Sequence, residues 1–144
     1  MSRMEIEARL DTLVEDMLLL PDPQERLGAL ANWGKKATEL PEALGTETNR
    51  VHGCVSRVHL AVDGDITSLH FRVLADSVMV RGLVGVTVRL ADGCSARELA
   101  AINLDWPARL KLERQITPTR LNGLASVVTR IQTLAKEALD SHVD

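Results

Sequence analysis

The chain has no tyrosine, one phenylalanine and two tryptophans in 144 residues. Stacking platforms for nucleobases are nearly absent, and the core has to be aliphatic. An excess of positive charge is missing too. Seventeen Lys and Arg against twenty Asp and Glu leave a net charge of −3, which offers no broad basic face to a phosphate backbone and argues against nucleic acid as a partner. No run of about eighteen apolar residues occurs, so no membrane-spanning helix is expected. The first seventeen residues carry five acids (Glu5, Glu7, Asp11, Glu15, Asp16), unlike a signal or transit peptide, and a cytoplasmic setting is expected. Cysteine is scarce: Cys54 and Cys94 are the two present. In a reducing compartment they read as independent thiols rather than a bridge. Also missing are a glycine-rich phosphate loop, a Gly-x-Ser-x-Gly elbow and a dinucleotide fingerprint. His52, Cys54, His59 and His70 match no metal-ligand spacing, so no metal and no bound cofactor are expected.

What is present reads as one α+β domain spanning residues 1–144. Ser2 with Glu5, and Asp22 with Glu25, have capping-box spacing, and Pro23 suits a first helical position. A first helix is predicted to about Leu20, burying Ile6, Leu10, Leu13, Val14 and Met17, and a second from Pro23 to about Ala37. Both are expected to pack on a sheet. Beyond the loop "ELPEALGTETNR" the period drops to two. Val58, Leu60 and Val62, a turn at "DGD", then Ile66, Leu69, Phe71 and Val73 read as a β-hairpin. The stretch "DSVMVRGLVGVTVRLADG" is ambiguous. Its β-branched residues favour a strand, whereas Ser77 could cap a helix, and Gly82 and Gly85 could let that helix approach a sheet closely. Ser95 with Glu98 opens a short helix to about Ile102. Thr117 and Pro118 open a long C-terminal one with Leu121, Leu124, Val128, Ile131 and Ala135 on its apolar face.

Chemistry concentrates in "NRVHGCVSRVHL", residues 49–60. Cys54 follows a glycine at the mouth of the first strand, where functional groups are often displayed. Arg50, His52, Arg57 and His59 lie within five residues, and cations lower a thiol's pKa. Free cysteine is also among the most buried residue types, so a plain core role stays open. Cys94, just before the Ser95 cap, is a second thiol, read as a loop residue of no consequence or one influenced by a helix N-terminus.

Three motifs in order carry a resemblance: Val51-x-Gly53-Cys54-x-Ser56-x-Val58; Ala75-Asp76-Ser77 with Val80-Arg81-Gly82-Leu83; and Pro118-x-Arg120-Leu121-Asn122-Gly123-Leu124. Together with "LANWGKKATELPE" and "ADGCSARELAAI" they resemble the SufE family of sulfur acceptors, which includes the CsdE type, over about residues 25–135. The resemblance implies a small antiparallel sheet of about three strands flanked by helices, like that of the IscU-type scaffolds, and turns "SVMVRGLVGVTVRL" into a helix. It implies that Cys54 takes persulfide sulfur from a pyridoxal-phosphate-dependent cysteine desulfurase and passes it to an iron–sulfur cluster scaffold. The chain itself is then a sulfur-transfer partner and activator of that desulfurase, not an enzyme. Gly53, Ser56, Asp76, Arg81, Arg120 and Asn122 become partner-binding or loop-supporting positions. Val55, His59 and Cys94 depart from residues usual in the family. Whether the free chain is a homodimer is left open. The rivals are a free-standing thiol enzyme using Cys54, peroxidatic or hydrolytic, which would need a base or a resolving cysteine, and a cluster scaffold, which would need more ligands.

Overall fold

In the computed structural model residues 3–142 are described. Six helices and two strands follow one another as α1 (Arg3–Met17), α2 (Pro23–Gly34), β1 (Val58–Asp65), β2 (Ser68–Ala75), α3 (Val78–Ala91), α4 (Ala96–Ala100), α5 (Trp106–Arg109) and α6 (Pro118–Ser141), with two 3₁₀ turns at Glu42–Leu44 and Glu47–Asn49. The expected Ser2 cap lies outside the described residues. The Asp22 carboxylate accepts from the Gln24 N–H, with Pro23 opening α2. Ser77, Ser95 and Thr117 cap α3, α4 and α6, each accepting from the N–H three residues on.

β1 and β2 form an antiparallel hairpin, with Val58 opposite Ala75 and Asp65 opposite Ser68. The turn falls at Ile66 and Thr67, later than "DGD" suggested. The Asp65 carboxylate accepts from both the backbone N–H and the hydroxyl of Thr67 and closes the chain there. Among the described residues a third strand is represented only by a parallel bridge from Glu39 to Val73. There Leu40 N–H donates to the Val73 carbonyl and Val73 N–H to that of Thr38.

The ambiguous valine-rich stretch is helix α3, and it is the hub of the molecule. It rests on β2 along one side and on α2 along another. The expected packing of α1 and α2 on the sheet is replaced by packing on α3. Glycine explains the closeness. A Cβ on Gly34 would lie 1.8 Å from the Gly82 carbonyl oxygen, and one on Gly82 would lie 2.7 Å from that of Ala31. Gly82 and Gly85 thus admit another helix, not a sheet. Val84, Val86, Val88, Leu90, Phe71, Val73, Leu30 and Leu99 are all buried in the resulting aliphatic core. Each such side chain contributes roughly 1.5–3 kcal/mol. Trp106 is buried in α5, its indole N–H donating to the Thr87 hydroxyl at 2.9 Å. The long C-terminal helix covers α3 and α4. It buries Gly123, Leu124, Val127, Ile131 and Ala135, with the expected Leu121 and Val128 at its half-buried margin.

Candidate functional site

A loop ahead of β1 presents Cys54. Val51 N–H donates to the Val58 carbonyl at 2.8 Å, and Arg50 pairs with His59 as an antiparallel bridge. The residues between are thereby held as a short closed loop. Gly53 turns it at φ +99°, a conformation L side chains rarely adopt, and a Cβ there would lie 2.3 Å from the Ser126 Oγ. Asp76 steadies the loop from behind: its N–H donates to the Arg57 carbonyl at 3.3 Å, and its carboxylate lies 4.0 Å from the Arg57 guanidinium.

The Cys54 thiol is half-buried and donates to the Gly123 carbonyl at 3.4 Å. It lines a cavity of about 350 Å³ with three walls. The loop gives Cys54, Val55 and Ser56; α3 gives Val80, Leu83 and Val84 at i, i+3 and i+4 spacing; and α6 gives Thr119, Arg120, Gly123 and Leu124 behind the Thr117 cap. Val55 at the cavity's edge, and Val78 and Met79 beyond it, are exposed. Burial pushes the Cys54 thiol above its ordinary range. The basic residues adjacent in sequence therefore do not make it a ready thiolate, and removal from water dominates.

Of the predicted site residues, Cys54, Ser56 and Arg120 meet at the cavity, and Gly53 and Asp76 hold its loop. Arg81 serves elsewhere, donating to the Ala37 carbonyl at 2.7 Å and so tying α3 to the chain after α2. Asn122 is exposed on α6 and does not line the cavity. The apolar wall of Val80, Leu83 and Val84 was missed as site lining. Its signal is the helical spacing, legible only once that stretch is taken as a helix. A larger groove of about 690 Å³ between α1, α2 and α3 shares no residue with the cavity.

Cys94 is fully buried, and both cysteines are free thiols. Burial, with Glu98 and Glu5 adding negative charge, pushes the Cys94 thiol up to about 12, against the opposing effect of Arg9. It lies in the turn between α3 and α4, as its neighbours suggested, but its side chain is buried rather than exposed, and it is not a thiol activated by a helix. His52, Cys54, His59 and His70 do not converge. Among the described residues the close set of metal-capable side chains is Glu5, Cys94 and Glu98.

Residues 11–135 match the profile of the SufE domain, described as Fe–S metabolism associated. The chain belongs to the SufE family. An uncharacterised SufE-like protein of Rhizobium meliloti is 32% identical over 90% of this chain and 96% of its own. SufE-like protein 1 of Arabidopsis thaliana chloroplasts and mitochondria is 28% identical over 91% of this chain and 36% of its own. A solution structure of a Thermus thermophilus protein superposes with a TM-score of 0.70 at 23% identity, covering 95% of this chain and 97% of that one, which shows the shared fold. SufE membership gives the chain a role in Fe–S metabolism.

Proposed function

We propose that this SufE protein is a sulfur carrier. Cys54, as thiolate, attacks the terminal sulfur of a persulfide on a pyridoxal-phosphate-dependent cysteine desulfurase. The new S–S bond forms on Cys54 as the desulfurase's own S–S bond breaks, that cysteine leaves as thiolate, and no net redox change occurs. The persulfide then goes to a scaffold assembling iron–sulfur clusters. The observation that carries this reading is a single half-buried thiol on a constrained loop, facing a mostly apolar cavity with room for one more sulfur atom.

The surroundings support exchange between partners over stand-alone catalysis. The Cys54 thiol donates to the Gly123 carbonyl, and neither an imidazole nor a carboxylate is among the residues lining the cavity. A hydrolytic enzyme would want such a base within hydrogen-bond reach. Arg120 and the N-terminal turn of α6 bring positive potential to the rim, which suits an anionic terminal sulfur. The raised pKa keeps the resting thiol quiet, so the loop has to swing outward when the desulfurase docks. The setting taken for this chemistry is the cytosol, where thiols stay reduced.

The test is desulfurase turnover on free cysteine, followed by alanine release. The wild-type chain accelerates it, and Cys54→Ser, with the docking surface otherwise intact, does not. Equal acceleration by both would refute the reading.

A further inference from the structure

A second cluster of reactive side chains lies away from the Cys54 cavity, where α1, the turn after α3 and the start of α4 meet. Glu5, Cys94 and Glu98 each bring one ligand atom within 4.8 Å of the others. Cys94 and Glu98 are 0% and 2% exposed. The Glu98 carboxylate is divided in use. Its Oε2 accepts from the Ile6 N–H at 2.8 Å, while its Oε1 is buried and finds no donor among the described residues beyond the weak S–H of Cys94, which is itself turned to the Leu90 carbonyl at 3.8 Å. A buried carboxylate oxygen left unpaired costs about 1–3 kcal/mol or more, a cost that a ligand would remove.

We infer that Glu5, Cys94 and Glu98 form a binding site for one divalent transition-metal ion of the zinc type. A thiolate with two carboxylates selects such an ion over calcium or magnesium, which take oxygen alone. Both carboxylates are already oriented by one oxygen each, Glu98 through the Ile6 N–H and Glu5 through the Arg9 guanidinium at 2.6 Å, as outer partners orient metal ligands. Arg9 is itself fixed by the Leu90 and Asp92 carbonyls. Three anionic ligands with one arginine beside them are neutralised by a single dication. Glu5 and Arg9 also line the groove of about 690 Å³, which lets an ion and a completing water in from solvent. Binding breaks the Cys94 S–H bond, the proton goes to water, and no electron is transferred. The ion joins α1 to α4, so the site is structural and separate from sulfur carriage.

Cobalt(II) reports the site directly. The Cys54→Ser full chain contains Cys94 as its one thiol, so adding Co²⁺ alone should give a thiolate-to-cobalt absorption band that saturates at one equivalent. Zinc should abolish it by competition and raise the melting temperature over that in chelator. Cys94→Ser should lose the band, and Glu98→Gln should bind at least about tenfold more weakly. No band in Cys54→Ser overturns the proposal. So does a band in Cys94→Ser equal to wild type, or unchanged affinity in Glu98→Gln. If Cys94→Ser fails to fold, the Cys54→Ser spectrum and the Glu98→Gln affinity decide.

Discussion

The Cys54 thiol lies 3.4 Å from the Gly123 carbonyl, and a Cβ placed on residue 123 would sit 3.5 Å from the same sulfur. That spacing is ordinary van der Waals contact, so alanine fits. Because glycine inside a helix costs roughly 0.5–1 kcal/mol relative to alanine, Gly123→Ala should stabilise the protein by about that amount in urea unfolding. Gly123→Val carries two further methyl groups toward the thiol. It should push Cys54 outward and speed its alkylation several-fold. Destabilisation by alanine, or unchanged alkylation with valine, would contradict this packing.

The α2–α3 crossing predicts a sharp contrast between two glycines of the same helix. A Cβ on Gly34 meets the Gly82 carbonyl oxygen at 1.8 Å, whereas one on Gly28 meets nothing within 4 Å. Gly34→Ala should cost at least roughly 1–3 kcal/mol, since backbone has to move. Gly28→Ala should gain about 0.5–1 kcal/mol. Chemical denaturation of the two variants side by side checks both signs.

The Gly53 turn combines backbone strain with a clash on Ser126. Gly53→Ala should destabilise by about 1–2 kcal/mol from the positive φ alone, and Ser126→Gly in the same chain should relieve only the contact. Full restoration by the second change would show that φ is not the limiting factor. Thermal melts of the single and double variants decide it.

Burial raises the Cys54 pKa, so the thiolate fraction at neutral pH is below that of free cysteine. Alkylation of the resting protein should therefore be slow near pH 7 and climb with pH, its midpoint above the ordinary thiol value of about 8.5. Bound desulfurase should shift that midpoint down by freeing the loop. A midpoint below the ordinary value in the free chain would mean that the surrounding cations outweigh burial.

Much of this was legible from residues alone. The caps at Ser95 and Thr117, the hairpin and the amphipathic C-terminal helix follow from spacing and chemistry that act over a few residues. Tertiary context hid the rest. Val78 to Leu90 has strand propensity and a helical fold, because glycines at 82 and 85 matter only once Gly34 lies against them. Resemblance to a family settled that stretch, and periodicity could not. The hairpin turn moved because the Asp65 side chain competes with the "DGD" pattern. Cys94 does lie in the turn between Gly93 and Ser95, yet its side chain is fully buried, close to Glu5 of α1 and Glu98 of α4. Likewise, the family resemblance made Arg81 a partner-binding or loop-supporting position, while one nitrogen of its guanidinium, Nη2, donates to the Ala37 carbonyl.

Peptide mass mapping under non-reducing conditions, after incubation with a cysteine desulfurase and free cysteine, tests sulfur carriage most directly. The account predicts one added sulfur atom on the peptide containing Cys54, retained in Cys94→Ser and lost in Cys54→Ser. Sulfur found only on the Cys94 peptide, or handed on undiminished by Cys54→Ser, would contradict it.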